Sequence, residues 1–261
     1  MNRTWKLTDL EFYVLWQGLK LGGLPYPFYF QSDTTDPEAF ETEVIAVKDR
    51  LRLQLDPAIS DMLEALVEPD VRIEVHGWDG RAPRTPEALV RMNAVRRGDK
   101  GFVVTCLPGR TFWHSGGYTV TECDPLRLAD AVVERLPDTP AGKLTEFVLT
   151  PPGDAAELDY SFGTSAVHDS FEDSVSERSS SFMNAPATKI GTIHIVQGRS
   201  LFGPRGITRH ELDWRDLVDD GRYVIDDQHP PVASPVDRKR LIGLINTRIA
   251  AVVRAIKDER L

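Results

Sequence analysis

What most constrains this chain is a run of short strand patterns separated by turns too short for a crossover. Val71, Ile73 and Val75 alternate with Arg72, Glu74 and His76, the signature of a strand with one apolar and one wet face. Val90, Met92 and Ala94 alternate likewise, and Gly101–Leu107 and Gly117–Cys123 follow after glycine-bearing turns. A parallel neighbour needs a connection of about a dozen residues or more, so these turns favour antiparallel pairing. A second meander spans Lys189–Val196, Arg205–Asp213 and Arg222–Ile225.

Helix starts frame the two meanders. Thr8 with Glu11 reads as a capping box ahead of the stripe Phe12, Leu15, Trp16 and Leu19. Asp36-Pro37, Asp56-Pro57, Asp124-Pro125 and Ser234-Pro235 place a capping side chain before a proline in the first turn, where its missing N–H costs nothing. Apolar stripes follow these caps: Phe40, Val44, Val47 and Leu51; Ile59, Met62, Leu63 and Leu66; Ala129, Val132, Val133 and Leu136. The last runs for five turns, through Leu241, Leu244, Ile245, Ile249, Val252, Val253 and Ile256.

The order is helices, meander, helix, and then helix, meander, helix again. This predicts an α+β fold of two related subdomains, about 1–140 and about 141–261. Asp154 and Glu157 cap a helix running into the 160s, and the serine-rich stretch Asp173–Ala187 is expected to be a mobile loop between the halves. "LGGLPYPFYF" (Leu21–Phe30) reads as a stiff corner: Gly22 or Gly23 ends the first helix, and the rings pack against the core. As a proline-rich docking ligand it would have to leave those rings in water.

Motifs for chemistry are sparse. With 261 residues, 41% of them apolar, and a net charge of −9, the chain can bury a core but lacks the basic field that nucleic acid or an anionic membrane would attract. No apolar run reaches membrane-span length and the N-terminus has no secretory core. Two cysteines, Cys106 and Cys123, fit a reducing compartment, so a cytoplasmic protein without direct membrane insertion is expected. Six scattered histidines offer no metal-binding spacing; neither metal nor cofactor is expected. His168-Asp169 could orient a base, which leaves a hydrolase as an alternative, although no nucleophile motif accompanies it. "GRSLFGPRG" (Gly198–Gly206) lacks the Lys-Ser/Thr of a phosphate loop and reads as a turn in a sheet. Asp219-Asp220-Gly221 reads as turn chemistry rather than paired catalytic carboxylates. Arg81-Ala82-Pro83-Arg84-Thr85-Pro86, just after Trp78, is either an exposed hairpin loop or a protein-contacting arm.

Several segments together resemble the EspG proteins, chaperones of actinobacterial type VII (ESX) secretion. They are "LGGLPYPF", "MLEALVEP", "VRIEVHGW", "LVRMNAVRRGDKGFVVTC", "DPLRLADAVVERLP", "WRDLVDDGRYVI" and "VASPVDRKRLIGLI". The resemblance implies a quasi-two-fold central antiparallel sheet flanked by helical bundles, with Arg3–Leu7 as its first strand. It implies a non-enzyme that binds the helical tip of the PPE subunit in PE–PPE heterodimers. By the same resemblance the loop after the second strand contacts PPE, so that role passes to Trp78, Arg81, Ala82, Pro83, Arg84 and Thr85. Sheet and C-terminal contacts pass to Ile193, Ile195, Trp214 and Arg222. A homodimer paired through helical faces or sheet edges is the remaining alternative.

Overall fold

The computed structural model describes residues 3–149 and 170–260. Strand β1 (Thr4–Leu7) leads into helices α1 (Asp9–Gln17), α2 (Pro37–Gln54) and α3 (Pro57–Val67). The meander β2 (Val71–Trp78), β3 (Val90–Arg97), β4 (Lys100–Pro108) and β5 (Ser115–Cys123) follows, closed by α4 (Leu128–Val133). The plan then repeats: β6 (Phe147–Val148), α5 (Ser170–Asn184), the meander β7 (Ala187–Gln197), β8 (Arg209–Leu217), β9 (Arg222–Asp226) and β10 (Val232–Pro235), and finally α6 (Arg238–Asp258).

All ten strands join one sheet in the order β1-β5-β4-β3-β2-β7-β8-β9-β10-β6. Read from either edge, the order is edge strand, then the meander backwards, then its first strand. The symmetry point lies between β2 and β7, which pair antiparallel with Glu74 opposite His194. The α+β class, the central antiparallel sheet and the quasi-two-fold plan are therefore all present.

The caps behave largely as their chemistry dictates. Thr8 and Glu11 form the reciprocal capping box, and Asp36 and Asp56 accept from Ala39 N and Ala58 N with proline in the first turn. Asp124 caps a 3-10 turn, Pro125–Arg127, that runs into α4.

Four expectations need correction. Ser234-Pro235 is the end of β10, paired with Val224 and Tyr223; the helix cap is Asp237, which accepts from Arg240 N. Sheet pairing claims the first site, and an aspartate in extended conformation serves equally well three residues later. The serine-rich stretch is the helix α5, not a loop. Phe182 is buried against Phe147 and Tyr223, and Arg215 donates to the Met183 and Ala185 carbonyls at the helix end (2.9 and 3.1 Å). Tertiary packing thus overrides a weak local preference. The strand expected from Arg205 starts at Arg209, because Pro204–Gly206 forms a 3-10 turn. Helix α1 ends at Gly18 with right-handed geometry, and Gly22, at φ 87°, belongs to the following turn.

The corner reading of Leu21–Phe30 agrees with the packing. Phe28 is buried edge-on to Phe12 and Tyr118, at 5.7 and 5.1 Å between centroids, and Trp16 Nε1 donates to Gly23 O (2.7 Å). The Asp154–Glu157 cap and the pair His168-Asp169 lie outside the described residues.

Two layers of helix cover the sheet unequally. On one face, α4 and α6 seal Ile73, Val75, Met92, Ile193, Ile195, Leu212 and Trp214 into the main core. On the other, α1 and α3 cover the first half through Phe12, Ile59, Met62 and Leu66, and α5 covers the second through Phe182. Among the described residues, no helix lies over the central strands between those two patches.

The segment joining the halves is clasped by the β8–β9 turn. Arg222 forms a buried ion pair with Asp216 (Nε–Oδ1 2.6 Å) and donates to Pro137 O (3.0 Å). Asp219 adopts φ 60°, Asp220 Oδ1 accepts from Lys143 N (2.6 Å), and Tyr223 Oη accepts from Leu144 N (2.8 Å). A Cβ on Gly221 would stand 2.5 Å from Ala141 O. The Asp-Asp-Gly motif is turn chemistry that holds a crossing chain.

Candidate protein-binding site

The β2–β3 connection is a short, braced arm. Asp79 Oδ1 accepts from Arg81 N and Ala82 N (2.8 Å each), and these bonds hold its carboxyl below the usual carboxylate range. Pro86–Ala88 closes the arm with a 3-10 turn, and Lys189 Nζ donates to Ala88 O. Gly80 packs so tightly on the Ala187 backbone that a Cβ would collide with it. On this base Arg81, Ala82, Pro83 and Arg84 stand exposed, with Trp78 and Thr85 half-buried.

Beside the arm lies the middle of the sheet, which no described helix covers, although Asn93, Arg91 and Glu74 there are buried. Strand periodicity puts two cross-strand rows on this face. One is Asn93, Glu74, His194 and Glu211; the other is Arg91, His76, Thr192, Asp213 and Ile225. His194 Nε2 lies 3.0 Å from Glu211 Oε2 and its Nδ1 3.5 Å from Glu74 Oε2, while Arg72 Nε pairs with Glu74 at 2.8 Å. Tyr26, from the aromatic corner, meets His76 Nδ1 through its hydroxyl (3.1 Å) and accepts at its carbonyl from Asn93 Nδ2 (2.9 Å). Beyond Glu211 and Asp213 the floor deepens into a groove of about 570 Å³ walled by Met183, Ile225 and Pro231.

The electrostatics of this floor are those of a half-dry surface. The hydrogen bond with Glu74 raises the His194 pKa against the opposing effect of burial, with Glu211 adding to the rise. Burial pushes His76 down to about 4, helped by Arg91 and His194. Burial lifts Asp213 to about 6, and the neighbouring Glu211 adds to it. An aromatic rim completes the end nearest the arm. The buried Arg91 guanidinium sits 4.8 Å from the rings of both Tyr29 and Phe112, and Trp113 beside them is 55% exposed.

The expected contact residues divide sharply. Trp78 and Arg81–Thr85 form one accessible arm. Ile193, Ile195 and Trp214 are fully buried on the opposite, helix-covered face, and Arg222 is 3% exposed in its ion pair. They present no surface to a partner. The error is one of parity: a shift of one residue along a strand changes the face. The residues facing outward are their neighbours Thr192, His194, Asp213 and Glu211. The signal was legible, since Thr192 and His194 alternate with apolar residues as Glu74 and His76 do.

Among the described residues, no group of three or more His, Cys, Asp or Glu is placed to hold a metal ion, and no helix is long and apolar enough to cross a membrane. Both cysteines are buried, and burial raises both thiols, Cys123 to about 11, far from a reactive thiolate.

No curated protein matches the chain in sequence. Among solved structures, it resembles the Mycobacterium tuberculosis type VII secretion system chaperone EspG5, solved in complex with a PE25–PPE41 dimer. The TM-score is 0.56 at 12% identity, over 95% of this chain and 96% of that one; at this identity the likeness concerns the fold. The EspG family model matches residues 8–247, and the chain belongs to the EspG family.

Proposed function

We propose that this chain is a type VII secretion chaperone that binds a PE–PPE-type heterodimer through the helical tip of its PPE subunit. It would hold that tip on the open sheet floor and against the arm at Trp78–Thr85, keeping the pair soluble until the export machinery takes it. Family membership supports the reading, as does the presence of a PE–PPE dimer in the complex of its structural relative EspG5. The observation that carries it is the pairing of a half-dry floor, over which no described helix lies, with a braced, exposed arginine arm at its end. Hydrogen-bonding groups already fixed in a sheet lose little freedom on docking. An apolar helical tip gains by burial in the groove beside Ile225 and Met183, and Arg81 and Arg84 add rim charges that set specificity.

Co-expression with PE–PPE pairs from the same genome, followed by size-exclusion chromatography, tests the assignment. A co-eluting complex is expected with at least one pair. Arg81→Glu with Arg84→Glu should weaken it about tenfold or more, mainly through the association rate. Separate elution from every pair sinks the function, and an unchanged affinity of the double variant removes the arm from the site.

A further inference from the structure

The sheet is built on a quasi-two-fold plan, so its backbone alone would let an elongated partner lie on the floor in either of two opposite directions. The corners of the two halves break that tie. The β4–β5 connection, residues 109–114, carries Phe112 and Trp113. Its counterpart between β9 and β10, residues 227–231, reads DQHPP and has no Phe, Tyr or Trp. A partner that docks in one direction has to read this difference.

The aromatic corner is firmly braced. Gly109 lies so close to the His114 backbone that a Cβ would collide with it. Thr111 Oγ1 accepts from Trp113 N (3.2 Å) and meets His114 Nδ1 (2.6 Å), and Arg110 Nε donates to Asp33 Oδ1 (2.7 Å). Beneath the tip, Arg91, 2% exposed, donates to Phe112 O (2.6 Å). Trp113 stands edge-on to Phe112 and Tyr29, at 4.9 and 5.5 Å between centroids. Of the five tryptophans it alone is mainly exposed. A ring held by edge contacts yet still in water loses little freedom on docking and gains by burial.

The corner also adjoins the arm. Strand β3 lies between β2 and β4, so the β2–β3 and β4–β5 connections leave the sheet at the same end, about 10 Å apart at two strand spacings. A helix with its side chains is about 10–12 Å across, so one helical tip reaches both.

We propose that the β4–β5 corner is a second client-contacting loop, in which Trp113 receives an apolar side chain of the PPE tip and fixes the direction in which the client lies on the floor. The inference rests on the client reading above and adds to it an anchor outside the arm. An ordered, exposed tryptophan at the end of a partner-facing floor has the character of an interface hot spot. An anionic membrane is disfavoured as the occupant, because a chain of net charge −9 is repelled by it.

A PE–PPE pair from the same genome that co-elutes with the chain is the probe, and surface plasmon resonance the readout. Trp113→Ala should weaken binding about thirtyfold, almost wholly through faster dissociation, whereas the double variant of the arm slows association. Leu53→Ala and Leu126→Ala, at side chains 88% and 74% exposed elsewhere on the surface, should bind as the wild type does. Hydrogen exchange of the wild-type complex should show residues 109–114 protected, whatever the folding of any variant. A photo-crosslinking residue in place of Arg110 or of Gln228 should capture two different segments of the PPE subunit. Equal binding by wild type and Trp113→Ala, no protection of 109–114, or the same segments captured from both positions would each overturn the proposal and leave the client reading standing. So would Trp113-dependent binding to phosphatidylserine vesicles with unchanged client affinity. If no pair binds the wild type, both readings fall together.

Discussion

The same central strands carry two opposite surfaces. On one face of β2, β7 and β8, Ile73, Val75, Ile193, Ile195, Leu212 and Trp214 are fully buried beneath α4 and α6. On the other, one residue along, Glu74, His76, Thr192, His194, Glu211 and Asp213 form a polar floor lined with titratable groups. A sheet that served only as scaffold would be expected to cover both faces or to solvate one freely. Here the second face is neither: burial lowers the pKa of His76 and raises that of Asp213, yet no described helix covers this face. The difference puts stability on the first face and, on the proposed function, recognition on the second.

The largest test of that division is Trp214→Ala. The indole packs against two glycines, Gly77 and Gly191, and a Cβ on Gly77 would stand 2.7 Å from its ring. Removing a ring seated this closely leaves a cavity that the flanking strands cannot fill, for a cost of about 4 kcal/mol. Urea unfolding reads it directly; a loss under about 1 kcal/mol would mean the covered face is not where the stability resides. Next comes Arg222→Met, expected to cost about 3 kcal/mol because it strands the buried Asp216 carboxylate. Adding Asp216→Leu should recover most of that loss. No recovery would show that the bonds of Arg222 to the linker matter more than the charge pair.

These variants also mark where the sequence was readable and where it was not. The meanders, the capping box, the Asp-Pro starts and the apolar stripe of the last helix were legible because each is a local signal with one physical meaning. Helix α5 was not, since its serines carry no helical preference and its anchor, Phe182, meets Phe147 and Tyr223 only once the sheet has formed. Ser234-Pro235 misled because capping chemistry and a strand end share the same residues. In the proposed site, the arm is suggested by its composition and by the family resemblance. The floor lies one residue away on each strand from the expected contacts Ile193, Ile195 and Trp214, because apolar members of a strand in a two-layer fold face the core. Tyr26 went unnoticed because the aromatic corner reads as packing, which is true of Phe28 but not of the ring beside His76.

A smaller effect, of opposite sign to the core variants, is expected on the open face. Asp213→Asn should stabilise the free protein at pH 8, because the folded state holds the charged carboxyl in a half-buried place that raises its pKa to about 6. The folded protein binds the proton more tightly than the unfolded chain does. Wild-type stability therefore falls as pH rises from about 4 to 6, and the variant removes that fall. Thermal unfolding at pH 8 and below pH 4 should show a gain at the higher pH and none at the lower. A loss at pH 8 would mean that Asp213 has a stabilising partner and that the floor is ordinary packed surface.

The smallest perturbation changes nothing but protons. His76 and His194 face the same floor on adjacent strands, yet their surroundings move them in opposite directions. Burial beside Arg91 holds His76 to about 4, whereas the carboxylates of Glu74 and Glu211 raise His194 above the ordinary imidazole value. For His76 the folded pKa lies below the unfolded one, so its part of the stability is present above pH 6.5 and is lost as pH falls towards 4. For His194 the folded pKa is the higher, so its contribution is complete at acid pH and fades as pH rises through it. Imidazole NMR titration of the free protein should therefore show two well-separated midpoints on either side of 6.5. If both midpoints fall together near 6.5, water reaches the floor freely, and the contrast between a dry core face and a half-dry recognition face does not hold.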